Sequence, residues 1–477
     1  MKQSCLSLLA ILITTQLCLT TPSLNAAESG STETHTPRSV ILIIGDGFDD
    51  QHLTMARNYL AGNAGTLGLD ALPVRGAVQI ETVSPDGTRL YAADSANTAT
   101  SLATGAVTNI GRIGTDAQDR DRVTVLELAA QAGYATGLVS TSSVTDATPA
   151  SFAAHVNIRM CEGPDITNGG ELYGQPFSGC PSDATQNGGA GSIAEQLAKA
   201  PVDILLGGGA KFFDQSIPGQ SQTVIEWAQA QGVRVIRQKD NLANLPASGR
   251  VIGLFDKENL EVRWRGTDGR TAENADVSWL NRIDWRLGSS ADPEPMECEP
   301  NPDYGDTPSL AAMTEAALTG LAARSDKGLF LMVESASIDK QSHKRNPCGS
   351  IGEIEQLEEA LAAALRFADD HPNTLVIVTA DHAQAAQILP EPSLFAAVPV
   401  PVYSPGKVAR VKTPEGGVMR INYATNNFPK AEEHTGANVP LFGNAVAQGV
   451  LKPFMRQRDV HQAMLTYLGL NEEETMP

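Results

Sequence analysis

The sequence predicts an α/β fold, a three-layer sandwich with a large, mainly parallel central sheet and helices on both faces. Three observations point there. Short apolar runs recur along the chain: SVILIIGDG (39–47), YATGLVST (134–141), VDILLGGG (202–209), FLMVESA (330–336) and NTLVIVTADH (373–382). Segments of helical period separate them, and strands that are apolar along nearly their whole length belong to a parallel sheet covered on both faces. The polar residues with chemical potential sit just past the carboxyl ends of these runs, where open α/β sheets bind ligands.

Taken in order, 39–47 is a buried strand that ends in a turn at Gly45-Asp46-Gly47. SANTATSLATG (95–105) reads as a helix opening at Ser95. DRVTVLELAAQAG (121–133) has helical period and leads into the strand at 134–141. SIAEQLAKA (192–200) is helical and precedes the strand at 202–209. The three glycines closing that strand make a tight turn; the GK[ST] ending of a phosphate loop is missing. The strand at 330–336, a helix around 353–367 and the strand at 373–382 repeat the pattern. The polar, proline-rich stretch 215–310, with scattered tryptophans, reads as surface insertion and connecting structure. Residues 392–431 have little helical period and read as short strands or a lid near the site. Candidate site residues run from 46 to 434, so a single domain over 38–477 has to bring them together.

Lys and Arg number 35 against 55 Asp and Glu, a formal net charge of −20. Such a surface repels polyanions, which excludes nonspecific nucleic-acid binding as a function class. An anionic substrate must instead be drawn by a placed cation. Residues 1–26 read as a secretory signal, with Lys2, the apolar LSLLAILITTQLCLT and small residues in SLNAA. The apolar stretch is short of a full span and no stop-transfer pattern follows, so export without a membrane anchor is expected. Residues 27–37, rich in Ser, Thr and Glu, are expected to be flexible. Past the signal, the cysteines are Cys161, Cys180, Cys298 and Cys348. An even number in an exported chain points to two disulfides. Three pairings are open, and the sequential one is the simplest.

The chemistry rests on a set of metal-ligand residue types spread over separate segments. Asp46 follows an apolar strand, where a carboxylate is costly to bury unless a cation or several donors meet it. Glu334, Asp339 and His343 fall within VESASIDKQSH. The i,i+4 spacing of Asp339 and His343 puts both on one helical face, able to grip one ion; a surface salt bridge has the same spacing. Asp381 and His382 close VIVTADH, where a strand-to-loop turn lets neighbours converge on one ion or serve two. His434 stands in EEHTG. Imidazoles mixed with carboxylates suit zinc and magnesium. Asp49 and Asp50 are alternative carboxylates whose flanks suggest a solvated helix start.

Ser95 opens its helix and is either a plain N-cap or a nucleophile. It lacks the GxSxG elbow, and a serine without a base needs a metal to react. The run VTDATPASFAAHVNIR (144–159) adds Asp146, Thr148, His155 and Arg159. Arg159 is the best candidate for a bidentate phosphate clamp. His155 is either a supporting partner of the site or a packed histidine. Together these residues point to metal-assisted phosphoryl transfer.

Assembled, the segments resemble the bacterial alkaline phosphatases of the exported, dimeric, zinc- and magnesium-dependent kind. The resemblance runs from about Ser39 to Gly469 through IIGDG, ADSANTATSLATG, TDATPASFAAHVNIR, LGGGAKFF, SIDKQSHKRNPCG, IVTADHA and EEHTG. It implies an alkaline-phosphatase-like sandwich that hydrolyses a broad range of phosphate monoesters through a covalent phosphoserine on Ser95. It implies two zinc ions and one magnesium ion per subunit. Asp339, His343 and His434 would hold the first zinc, and Asp46, Asp381 and His382 the second. Asp46, Thr148 and Glu334 would serve magnesium, Asp146 would order waters around it, and Lys340 would reach phosphate through water. Arg159 would hold two phosphate oxygens. The resemblance also implies the pairs Cys161–Cys180 and Cys298–Cys348, a homodimer, a periplasmic location, and small phosphomonoesters and inorganic phosphate as ligands.

Overall fold

The Val-Ile-Leu-Ile-Ile run of Ser39–Gly45 forms a strand (β1) with every residue buried. Branched side chains on both of its faces leave it no solvent side, so it lies in the middle of a sheet. The computed structural model describes residues 36–470 apart from Tyr173. The signal expected at 1–26, and the 27–37 segment up to residue 35, lie outside the described residues.

The main sheet has ten strands. They are β1, Val74–Gln79 (β2), Ala135–Ser143 (β3), Ile204–Gly208 (β4), Arg234–Ile236 (β5), Val251–Leu254 (β6), Leu329–Ser335 (β7), Thr374–Ala380 (β8), Val439–Gly443 (β9) and Phe454–Arg456 (β10). Their order is β10-β2-β9-β8-β1-β7-β3-β4-β6-β5. Only β9 runs against its neighbours. Each fully buried Val, Leu or Ile in the central strands is worth about 1.5–3 kcal/mol over exposure, which lets the strand ends carry buried charge.

Register decides where that charge gathers. Gly45 of β1 lies opposite both Ser335 of β7 and Ala380 of β8. Glu334 of β7 lies opposite Ser140 of β3. The chain therefore leaves three adjacent strands at one level, and Asp46, Ala336 and Asp381 follow directly.

Helices cover the sheet in two groups. Asp50–Leu60 (α1), Leu310–Ala322 (α4), Ser337–His343 (α5) and Pro347–Asp370 (α6) pack together, as do Ser95–Thr104 (α2), Val125–Gln131 (α3) and Gln457–Leu468 (α7). Capping boxes start two of them, Asp94 with Asn97 for α2 and Thr124 with Glu127 for α3. Helix α6 opens with Asn346 as its cap and Pro347 in its first turn.

One expectation about insertions changes, and for residues 392–431 the short-strand alternative holds. The 215–310 stretch is not all surface structure, because it supplies the edge strand β5 and its neighbour β6. Strands this short leave little periodic signal. Only its later part forms hairpins, pairing Trp264–Gly266 with Cys298–Pro300 and Asp276–Val277 with Ser290–Ala291. Residues 392–431 contribute Lys407–Lys412 and Val418–Tyr423 to a separate antiparallel sheet with Gln387–Leu389 and Glu273–Asn274. That sheet has its own core of Met55, Ile351, Val411, Ile421 and Tyr423. Both disulfides form as the resemblance implied, Cys161–Cys180 and Cys298–Cys348, the latter tying the hairpin region to α6.

Candidate active site

Asp46 emerges from β1 with its N–H donating to Ser335 O at 3.1 Å. Gly47 follows at φ +70°, and a Cβ there would sit 2.9 Å from the Cβ of Asp339. Glycine thus permits both the turn and the approach of α5. Asp381 leaves β8 beside it, and its Oδ1 accepts from Gly47 N at 3.1 Å and from His382 N at 2.8 Å. Asp339 and His343 share one face of α5, with His343 Nε2 3.4 Å from Asp339 Oδ2. The 425–438 loop brings His434 Nε2 to 3.4 Å from Asp339 Oδ1.

The three histidines are oriented alike. Nδ1 of His434 lies 2.7 Å from Ala93 O, that of His343 2.6 Å from Glu432 O, and that of His382 3.2 Å from Ala383 O. A carbonyl only accepts, so each Nδ1 holds the proton and each Nε2 turns a lone pair inward. The Nε2 atoms of His343 and His434 are 3.1 Å apart. Two lone pairs at that distance require a proton or a cation between them.

Two ligand groups result, Asp339-His343-His434 and Asp46-Asp339-His382, each with its donor atoms within 4.8 Å of one another. Asp339 belongs to both. Asp381 joins the second through His382 Nε2, 3.5 Å from its Oδ2. The Asp46 carboxyl is pushed well above the usual range, first by burial and then by Asp381 and Asp339, against the pull of Lys340. Burial draws His382 down to about 4, so its imidazole stays neutral. Burial also opposes charge on His434, but Asp339 raises it to about 8. The neutral His382 imidazole and crowded carboxylates of this kind fit divalent cations.

A third group lies on the β3–β7 side. Burial lifts the Glu334 carboxyl to about 7, although Lys340 and Ser140 pull it down. Glu334 accepts hydrogen bonds from Ser140 Oγ and, at 3.1 Å, from Ser142 Oγ. Thr148 Oγ1 is buried with no hydrogen bond of normal geometry, yet it lies near enough to Glu334 to lower that carboxyl. An orphaned hydroxyl beside a buried carboxyl fits a hard cation. Lys340 Nζ lies 2.7 Å from Asp146 Oδ2 and 3.8 Å from Asp46 Oδ2.

Ser95 sits at the first position of α2, only 3 % exposed. Of the two readings of Ser95, the N-cap falls away, because Asp94 takes that role. Ser95 Oγ lies 3.0 Å from His382 Nε2 and 3.4 Å from Asp46 Oδ1. Arg159 faces the same space, with Nη2 donating to Asp146 Oδ1 at 2.7 Å and Nη1 to Asp94 Oδ2 at 3.4 Å. A partly exposed guanidinium held by two carboxylates is stiff and ready to bind an anion.

His155 does not join the cluster. Its ring nitrogens lie 3.0 Å from Gly114 O and 3.1 Å from Glu127 Oε1, so it braces α3 against a loop. Asp49 is not solvated either; it caps α1 and meets His52 Nδ1 at 2.7 Å, while Asp50 is exposed. The sequence reading overlooked Asp94 and Gln384. Gln384 Nε2 donates to Asp339 Oδ1 at 2.5 Å and steers that carboxylate. Asp94 was detectable as the first member of an Asp-x-x-Asn capping pair; Gln384 carries no local signal.

Residues 37–393 match the family model for alkaline phosphatase. Streptomycin-6-phosphate phosphatase of Streptomyces griseus is 41% identical over 428 residues, covering 87% of each chain. The alkaline phosphatase of Escherichia coli is 39% identical over 446 residues, covering 91% of this chain and 86% of its own. The solved alkaline phosphatase of the Antarctic bacterium TAB5 superposes with a TM-score of 0.62 over 92% of this chain and 99% of its own. At 20% identity that likeness speaks for the fold. With the ligand groups and the serine assembled as above, the chain belongs to the alkaline phosphatase family.

Proposed function

We propose that the protein hydrolyses phosphate monoesters in two displacements at phosphorus, with Ser95 as the group that carries phosphate between them. The observation behind this reading is the convergence of three inward-facing Nε2 atoms and the Asp46, Asp339 and Asp381 carboxylates beside Ser95 Oγ. The activity is metal-dependent. In finer detail, Asp339, His343 and His434 would hold one zinc, Asp46, Asp381 and His382 a second, and Asp46, Thr148 and Glu334 a magnesium. When bound, these ions supply Lewis-acid activation of the serine hydroxyl, the leaving oxygen and water.

The chain's own residues do the rest. The opening of α2 directs backbone N–H groups toward an anion beside Ser95. Arg159 binds phosphate oxygens through its fork, while Asp94 and Asp146 keep it extended. Lys340, which burial would discharge, stays protonated because Asp146, Asp46 and Glu334 surround it. It adds positive charge facing the same anion. Ser95 Oγ displaces the alcohol from phosphorus; water then displaces the serine and releases inorganic phosphate. These contacts address the phosphoryl group, which supports a broad range of monoester substrates.

We also propose a homodimer, export to the periplasm and a single phosphatase domain over 38–477. Among the described residues no helix is long and apolar enough to cross a membrane. Turnover of p-nitrophenyl phosphate, bis-p-nitrophenyl phosphate and p-nitrophenyl sulfate by zinc- and magnesium-loaded enzyme tests the central reading. The monoester is expected to be fastest; faster diester or sulfate cleavage would replace it. Elemental analysis is expected to find zinc near two and magnesium near one per chain, and light scattering a mass of two chains.

A further inference from the structure

We propose that Arg345 and Glu432 are positioning residues, a buried clamp that holds the loop carrying His434 against the helix carrying His343. Arg345 lies just past α5 at φ +60°, in the left-handed region, and is 4 % exposed. A non-glycine residue in this region persists only where its surroundings hold it in place. The guanidinium shows what holds it. Nε donates to Glu432 Oε1, Nη1 to Pro429 O at 3.2 Å, and Nη2 to Phe428 O at 2.6 Å and Ala431 O at 3.3 Å. One planar fork thus ties four points of the 428–432 segment.

Glu432 completes the clamp. It is 2 % exposed, and its Oε2 accepts from Thr425 N at 2.8 Å and Thr425 Oγ1 at 2.6 Å. Its backbone reaches α5 directly: N donates to His343 O at 3.2 Å, and O accepts from His343 Nδ1 at 2.6 Å. The residue that receives the guanidinium therefore also sets the tautomer of His343 and stands two places before His434. On its other side, Arg345 O accepts from Ala272 N at 2.8 Å, which anchors the clamp to the second sheet. Neither residue touches the reacting atoms. Their effect is on the separation of the two imidazoles that share an ion, and partners of this kind tune metal affinity. A lysine would supply one point of charge in place of the fork.

The inference rests on the reading of Asp339, His343 and His434 as ligands of one zinc. The test uses a double variant, Arg345→Gly with Glu432→Gln. Glycine suits φ +60°, and removing both charges leaves none buried alone. Holoenzyme is dialysed against graded chelator, and zinc and magnesium per chain are measured, together with the melting temperature of the stripped protein. One zinc per chain is expected to leave at about 10–100-fold less chelator than in the wild type. The other ions are expected to hold. Arg345→Lys is expected to fall between the two. Wild-type metal retention in the double variant would overturn the clamp. So would joint loss of all ions with a lower melting temperature, which would mark a merely structural role. Full retention in Arg345→Lys would overturn the part given to the fork. His434→Ala is the control: if it keeps all its zinc, the ligand assignment fails and not the clamp.

Discussion

Replacing His155 by glutamine removes a charge while keeping a side chain that can hydrogen bond. Burial opposes protonation of His155, but the hydrogen bond and charge of Glu127, with Asp121 nearby, raise it from 6.5 to about 8. Both side chains are mostly buried, at 16 % and 20 % exposed. A rise of that size is worth about 2 kcal/mol of folding stability. The sign follows from a folded-state value above the unfolded one. The contribution is fully present below pH 6.5 and is lost as pH rises through about 8. The Glu127 carboxyl is held below its ordinary range despite burial, through His155, so its own share disappears only in acid. The assay is denaturant unfolding of wild type and His155→Gln, both metal-loaded, at pH 6 and pH 9. Subtraction at each pH cancels the common pH dependence of metal binding. The stability gap is expected to be wider at pH 6 by about 2 kcal/mol. An equal gap at both values would refute the reasoning. The same segment carries Arg159, whose N–H donates to Gly111 O at 2.7 Å, so weaker inhibition by phosphate is expected to accompany the loss.

Three further outcomes follow from single sites. Gly47→Ala adds a Cβ at φ +70°, 2.9 Å and 3.0 Å from the Cβ and Cα of Asp339 and 3.1 Å from the Cβ of Gln384. The left-handed backbone costs about 1–2 kcal/mol and the overlap about 1–3 kcal/mol, so a loss of about 2–5 kcal/mol is expected in denaturant unfolding; wild-type stability would show that α5 moves freely. Ser95→Ala is expected to lower turnover by several orders of magnitude at unchanged metal content, and acid-quenched wild type to carry phosphate on Ser95 by peptide mapping. Phosphate on another residue would remove Ser95 from its role. Loop closure over 50 residues makes Cys298–Cys348 worth about 4 kcal/mol and closure over 19 makes Cys161–Cys180 worth about 3 kcal/mol. Unfolding of Cys348→Ala and Cys161→Ala tests that order, and the reverse ranking would defeat the loop-length account.

Local sequence carried much of this protein. The strands β1, β3, β7 and β8 were legible because residues buried on both faces must be apolar throughout, and that run is contiguous in sequence. The ligand types were legible because buried carboxylates and imidazoles at strand ends need a cation, whichever strand they follow. Other features depended on which strands are neighbours. Asp339 falls in both candidate ligand groups because β7 lies beside β1 in register, placing α5 against Gly47. Ser95 does not cap its helix because Asp94, one residue earlier, holds that position. His155 shares a run with Arg159 but turns toward α3, since a loop gives its residues no fixed facing. Arg345 and Glu432 stand 87 residues apart, and neither carries a local signal of the other. Periodicity and capping act over a few consecutive residues, so they are written in the sequence directly. Convergence of groups from six segments is set by strand order and register, which arise only when the whole sheet packs.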